Sequence, residues 1–352
     1  MLIADRYEPT GASACGGMGE VHKCVDRHLG RDVMLKKMRQ GKNVARLIDE
    51  QKALVKLRSK HVVQLLDIIV VDGNFGSKDV CLALEHIDGR DLQEGSWEPN
   101  EDFIKALWQV ASGLADIHEA GIIHRDIKPN NMRVDGEGVI KILDFGLARE
   151  AGKDDKTRSI IGTVGYMAPE LWGEKTISFS SAVDAYAFGV MALALLNRTL
   201  PKEFSQSPPA PVPSSFVTSH IPEFSREISC VIQDCLSHDV AHRPSLAQVR
   251  DILARYILKD RHRARMVMGS TVYEINSGKR DVNLKSPIGN LHVHYDGFSF
   301  SVRSASGEVW INNGTPKEGM KMPPACVITF GGSQRRNRHF LTFDVSNPEV
   351  MA

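Results

Sequence analysis

One ten-residue run, IIHRDIKPNN at Ile122–Asn131, constrains this chain more than any other. Two isoleucines lead straight into His124, Arg125, Asp126 and Lys128, followed by Pro129 and two asparagines. An apolar pair belongs in a core, and charges buried without partners are costly. A run of this kind therefore crosses from packed interior to open polar space, either as a solvated loop after a helix or as the wall of a site. Thirteen residues beyond Asn131, KILDFGLAR places Asp144 after an apolar strand. Asn131 and Asp144 both offer the hard oxygen donors that Mg²⁺ prefers. Asp126 has the chemistry of a general base and Lys128 that of a counter-charge for phosphate.

Upstream, ARLIDEQKALVKL reads as a helix with Leu47, Leu54 and Leu57 on one stripe and Glu50 among them. A carboxylate on a buried stripe needs a cation, and Lys36 in the strand-like DVMLKKM is the candidate. A purely structural ion pair would look the same. The stretch ACGGMGEV sets Gly16 and Gly19 before another strand-like run, and glycines let a backbone cover phosphates closely. Glycine-rich turns are also common without any ligand.

The pattern from Tyr7 to about Asp88 is strand-like apart from that helix, with VVDGNFGSKDV as a hairpin turn. Helices dominate from Asp91 to about Leu258. In FIKALWQVASGLADIHEAG, Phe103, Leu107, Val110, Leu114 and Ile117 recur at helical spacing and Gly121 supplies a stop. RPSLAQVRDILARYIL is a second clear helix, started by Pro244 and Ser245. PKEFSQSPPAPVPSSF is too rich in proline to be helix or central strand. Beyond the basic KDRHRARMVMGS the period becomes two in GFSFSVRS, ACVITF and HFLTFDV, which predicts a separate small all-β module.

A chain of 352 residues has room for two domains, and a net charge of +1 gives no bulk electrostatic case for nucleic acid or an acidic membrane surface. Six scattered cysteines lack zinc-site spacing and read as reduced thiols, with Cys230 and Cys235 on a helix and expected to be buried. MLIADRYEPT does not read as a signal peptide, and FGVMALALLN is too short to span a bilayer. These features predict a cytoplasmic location with no membrane anchor.

Taken in order, the motifs resemble a serine/threonine protein kinase of the bacterial or phage-borne type. The resemblance runs through the glycine-rich loop, V-M-L-K with Lys36, Glu50, H-R-D-I-K-P-N-N, D-F-G at 144–146, A-P-E at 168–170, Asp184 and Arg243, over roughly 250 residues. It implies an α+β bilobal protein kinase fold over 5–258, with a β-rich N-lobe (5–88) and a helical C-lobe (89–258), and ATP with Mg²⁺, or Mn²⁺ in its place, as cofactors. Lys36 would bind the α- and β-phosphates and pair with Glu50, Asp126 would take the substrate proton, and Lys128 would neutralise the transferred phosphoryl group. Asn131 and Asp144 would hold the metal. Ala14, Gly16, Gly19, Val21, Met34, Leu84, Glu85, Ile87 and Arg133 would surround the nucleotide, Leu84 as gatekeeper and Glu85 and Ile87 through backbone groups. Glu170 with Arg243, and Asp184, would be structural. Protein substrates are implied, and Arg125 before the catalytic aspartate implies control by phosphorylation at Thr157 or Ser159, Thr163 being the third hydroxyl and more suited to positioning substrate.

Three positions depart from the family pattern: Ala14 for the first loop glycine, Met34 for the small roof residue, and Arg133 for a floor leucine. They predict a tighter, more polar pocket with altered nucleotide affinity. An active kinase is one function class; a pseudokinase scaffold acting through protein binding is the other. The segment 259–270 is expected as a linker. Residues 271–352 resemble a forkhead-associated (FHA) domain, a β-sandwich that binds phosphothreonine peptides, through SGKRDVNL, IGNLHVHY, SGEVWINNG and ACVITFG. The candidate ligand-contacting residues are Lys279, Arg280, His292 and Ser306. Lys279, Gly289 and Ser306 replace the family's arginine, serine and asparagine, so a docking β-sandwich is the alternative to a binder of phosphorylated peptides or of the chain's own phosphorylated segments. Arg303 and the basic QRRNRH turn are candidate replacement charges.

Overall fold

The computed structural model describes residues 2–16, 19–37, 44–72, 78–150, 163–172, 180–346 and 348–350. Thr157 and Ser159 lie outside them, as does the tip of the glycine loop. The chain divides into two compact units, Met1–Leu253 and Ala254–Met351.

The first unit opens with strands β1 (Tyr7–Gly16), β2 (Gly19–Asp26) and β3 (Arg31–Lys37), then helix α1 (Val44–Lys56) and strands β4 (Leu65–Asp72) and β5 (Lys78–Glu85). They form an antiparallel sheet in the order β1-β2-β3-β5-β4. Alternation along β3 divides its side chains between two faces. Val33 and Leu35 pack with Tyr7, Cys24, Ile69 and Ala83 in one core cluster. Met34 and Lys36 point to the other side, opposite Leu84 and Leu82 of β5.

After β5 the chain continues through β6 (Gly89–Asp91), α2 (Glu101–Glu119), β7 (Ile122–Ile123), β8 (Met132–Asp135), β9 (Ile140–Ile142) and β10 (Arg149–Glu150). Helices α3 (Ala182–Leu195), α4 (Phe216–His220), α5 (Arg226–Cys235) and α6 (Leu246–Ile257) follow. Asn100 caps α2 by accepting from the Phe103 amide at 2.9 Å, and Gly121 ends that segment at φ 73°. Ser245 and Gln248 cap each other's amides at the start of α6, a reciprocal box that a Ser-x-x-Gln spacing permits. Helix α3 is apolar nearly all round and buried from Val183 to Leu195. Among the described residues no helix is long and apolar enough to cross a membrane. Cys235 is buried but Cys230 is exposed, correcting the expectation for the latter. Five residues on a helix turn about 500°, which puts the two on well-separated faces.

The second unit holds β11 (Arg263–Met268), β12 (Thr271–Ile275), β13 (Asp281–Ser286), β14 (Gly289–Tyr295), β15 (Phe300–Gly307), β16 (Val309–Ile311), β17 (Ala325–Phe330) and β18 (His339–Ser346). One sheet runs β12-β11-β18-β17-β16 and the other β13-β14-β15. Both contribute to one core, in which Met266, Leu284, Leu291, Tyr295, Phe330 and Phe343 are almost fully buried. This is a two-sheet β-sandwich. The expected linker 259–270 is corrected here: Arg263–Met268 is an inner strand paired with both β12 and β18, and Ala264 and Met266 are core residues. The basic residues of that run mask the alternation, because Arg263 and Arg265 occupy its solvent face.

Candidate active site

A cavity of ≈ 550 Å³ opens in the first unit, and the sequence motifs meet around it. Its wall takes Val21 from β2, Met34 and Lys36 from β3, and Leu84, Glu85 and Ile87 from β5 and the segment after it. Glu50, Asp126, Lys128, Arg133 and Asp144 also line it, whereas Asn131, expected at the metal, is not among the lining residues and is bonded to Asp126. Ala14 and Gly16 pair with Val21 and Gly19 across the β1–β2 hairpin, so the glycine motif sits on the strands that carry Val21.

Lys36 is the centre of charge. Its Nζ lies 2.8 Å from Glu50 Oε1 and 2.8 Å from Asp144 Oδ1. Burial works against the ammonium charge, but the two carboxylates outweigh it and raise the pKa above the usual lysine value. Burial also pushes Asp144 upward, yet Lys36 and the Gly146 amide hold it below the ordinary carboxylate range. For Glu50 burial prevails over the pull of Lys36, and its pKa is raised. Helix α1 reaches this position with help from strand β10: Asp49 pairs with Arg149 at 2.8 Å and Lys56 with Glu150 at 2.5 Å.

Asp126 anchors a second cluster. Oδ2 accepts from Asn131 Nδ2 at 2.9 Å and lies 2.9 Å from Lys128 Nζ; Oδ1 accepts from the Thr163 hydroxyl at 2.8 Å. Lys128 also donates to that hydroxyl at 2.7 Å. The loop carrying these groups is held from beneath by Asp184, which is fully buried and accepts the amides of His124 and Arg125, each at 2.8 Å. His118 Nε2 lies 2.8 Å from the same carboxylate. Burial alone would raise Asp184, but His118 and the backbone donors lower its pKa. Arg125 takes φ 70°, a left-handed conformation unfavourable by about 1–2 kcal/mol for a residue with a Cβ, and the paired amides offset it. Phe145 is buried edge-on against His124, whose Nε2 donates to the Leu143 carbonyl at 3.0 Å.

The donor set suits a hard divalent cation. Asn131 spends its amide nitrogen on Asp126, leaving its oxygen as the donor, and the Leu143 amide binds the Asn131 carbonyl at 2.8 Å, which brings Asp144 beside it. Two protein oxygens with the rest of the shell from water and phosphate is the usual manner of Mg²⁺.

Arg133 does not make the pocket more polar in the way expected. Its three nitrogens are engaged with Ile87 O, Gly89 O and Asp91, so the methylene stem is what it offers the cavity floor. Sequence reasoning missed Val63, His86 and Leu143 in the lining. Leu143 and His86 adjoin residues already singled out. Val63 carried no local signal, since its place comes from its amide binding Ile142 O at 3.0 Å.

In the second unit the four ligand candidates are not brought together. Register sets Asp281 opposite His294, and Lys285 opposite Asn290, which pairs in turn with Ser306. Lys279 and Arg280 therefore stand at one end of the three-stranded sheet and Ser306 about four strand residues, roughly 13 Å, towards the other. His292 lies between them and contacts Asp281 at 2.9 Å, while Arg280 pairs with Asp260 at 2.6 Å. Of the replacement charges, Arg335 is bound to Glu308 and Arg338 to the Gly331 carbonyl.

The protein kinase domain model matches residues 14–253. The chain belongs to the protein kinase family. It is 29% identical over 247 residues to the "Probable serine/threonine-protein kinase pknA2" of Bifidobacterium longum, covering 66% of this chain and 31% of that one. It is 30% identical over 293 residues to the serine/threonine-protein kinase pkn3 of Myxococcus xanthus, covering 74% and 51%. It is also 33% identical over 199 residues to G protein-coupled receptor kinase 2 of Drosophila melanogaster, covering 53% and 27%. The chain thus spans between about a third and a half of the length of the bacterial relatives it matches.

Proposed function

We propose that the chain is an ATP-dependent serine/threonine protein kinase. One observation carries the reading: Lys36 with its two carboxylates, Asp126 and Lys128 line a single cavity, with Asn131 and Thr163 bonded to Asp126. A substrate hydroxyl placed at Asp126 forms its bond to the γ-phosphorus as the bond from that phosphorus to the β,γ-bridging oxygen breaks. The hydroxyl proton passes to Asp126 and ADP leaves. Lys36 steadies the α- and β-phosphates, and Lys128 balances charge on the group in transfer. Asn131 and Asp144 would hold Mg²⁺, which would supply neutralisation of the phosphate oxygens. Thr163, bonded to both Asp126 and Lys128, fits substrate positioning better than a role as phosphate acceptor, which leaves Thr157 and Ser159 as the autophosphorylation sites. The second unit serves docking or regulation. A phosphothreonine partner would be gripped by Lys279 and Arg280 without Ser306, given their separation along the sheet.

The test is phosphate incorporation from Mg·ATP, mapped by mass spectrometry, in wild type and Asp126→Asn. Wild type should label itself on Thr157 or Ser159, and the variant should lose about 10²–10⁴ in rate. Equal labelling in the two, or none in wild type with no nucleotide bound, would remove the reading in favour of a binding scaffold.

A further inference from the structure

The outer face of the five-stranded sheet in the second unit breaks a rule that the three-stranded sheet obeys. An antiparallel sheet with one face in a core shows polar residues on the other. The three-stranded sheet does so: Asp281 lies opposite His294, Asn283 opposite His292 and Lys285 opposite Asn290 on its outer side. In the five-stranded sheet Ala264, Met266, Cys326, Ile328, Leu341 and Phe343 turn inward. The alternate residues form one unbroken row across four strands. Val272 of β12 lies opposite Val267 of β11, Val267 opposite Thr342 of β18, and Thr342 opposite Val327 of β17. Val272, Val267 and Val327 are 55%, 37% and 42% exposed. Isolated exposed apolar residues are ordinary, but three in one register make a stripe. Phe340, 55% exposed and two residues from Thr342, extends it along β18.

Next to the stripe, two residues along the strands, lies a row of charge. Arg265 stands opposite Glu274 on one side and Asp344 on the other, and Asp344 stands opposite Ala325. Among the described residues, Arg265 and Asp344 form no ion pair with each other or elsewhere. We propose that this face binds the same face of a second copy of the chain. A two-fold axis parallel to the strands, between β11 and β18, lays each row on itself with the strand order reversed. Arg265 then faces Asp344 of the second copy, and Asp344 faces its Arg265. Val267 meets Thr342 and Val272 meets Val327, each reciprocally. The other face-to-face arrangement, with the axis across the strands along the valine row, sets Asp344 against Phe340 and buries the carboxylate without a partner, which is costly. Packed sheets are offset by about 30°, and the Arg265–Asp344 pairs sit beside the axis, where that offset displaces them least. Four strands span about 19 Å at ~4.8 Å apiece. That is small for a permanent interface, so the dimer should be reversible.

Sedimentation of the full chain over a wide concentration range tests this, with Arg265→Asp and Asp344→Arg as separate variants. Wild type should pass reversibly from monomer to dimer. Each variant should raise the dimer dissociation constant by about 10–100-fold, since like charges then meet across the axis. Mixed together, the two variants should dimerise with close to wild-type affinity, because each aspartate of one copy then faces an arginine of the other. Rescue of that kind has no explanation within a single chain. Val272→Lys, on an edge strand and clear of the core, should also weaken association, and it decides the matter if the reversals unfold the second unit. A wild type that stays monomeric at every concentration overturns the proposal and assigns the stripe to a different partner. So does a dimer indifferent to all three variants, or a mixture of the two reversals that stays monomeric while each melts like wild type.

Discussion

At the scale of single residues, the site depends on charges placed where their partners cannot move. Asp184 shows the logic: it is buried, yet three donors converge on it, so its negative charge organises the loop above it. His61 is the opposite case, a buried group kept neutral. Its Nδ1–H donates to the Ile140 carbonyl at 3.0 Å, its ring meets Trp108 edge-on, and Nε2 is buried with no acceptor. Burial above all, aided by Lys60 and Lys141 and opposed by the Ile140 carbonyl and Asp116, lowers its pKa. The folded state therefore binds fewer protons at this site than the unfolded chain. Its contribution to stability is complete above about pH 6.5 and is lost as pH falls towards the lower folded value, at no more than about 1.4 kcal/mol per pH unit. Thermal melts between pH 7.5 and 5.5 should show a steeper fall for wild type than for His61→Gln. Parallel curves would mean that His61 does not titrate with folding.

Elements are positioned by close approach as much as by pattern. Helix α2 carries Gly113 on its buried face, where an added Cβ would lie 2.8 Å from Ile142 Cδ1 and 2.9 Å from both Cβ and the carbonyl oxygen of His61. That carbonyl accepts from the Ile142 amide at 2.9 Å, so it cannot retreat without breaking the bond. Gly113→Ala should destabilise the first unit by about 1–3 kcal/mol despite the better helix propensity of alanine. Denaturant melts would measure it, and a neutral or stabilising result would show that the contact between α2 and β9 is slack. This approach also matters to the site, because β9 leads directly into Leu143 and Asp144.

For the whole molecule, two units with separate cores predict two separable unfolding events. Phe343 is almost fully buried in the second core, and Phe343→Ala should lower that unit's transition by about 3–5 kcal/mol. Mg·ATP at a hundredfold excess over Kd should raise the other transition by about 2.7 kcal/mol. Scanning calorimetry on the full chain reads both. A single transition that responds to both perturbations would show that the units melt as one.

Much of the first unit was legible because its chemistry is local: HRDIKPNN, DFG and the capped helices each carry their signal within a few residues, and the resemblance to the kinase family set Asn131 against Asp144. Glu50 and Lys36 could be matched from a stripe and a strand because a buried carboxylate must find a cation. What the sequence could not yield was the outcome of register and approach. Arg133 looked like a polar intrusion into the pocket until its neighbours along β6 turned its charge outwards. The run Arg263–Met268 looked like a basic linker because half of an inner strand faces water. The segments of the second unit matched in order along the chain, yet strand pairing spread its ligand candidates along the sheet. Composition and spacing determined which groups are present and which must be paired; only the tertiary structure decided where each charge ends, because that depends on atoms far apart in the chain.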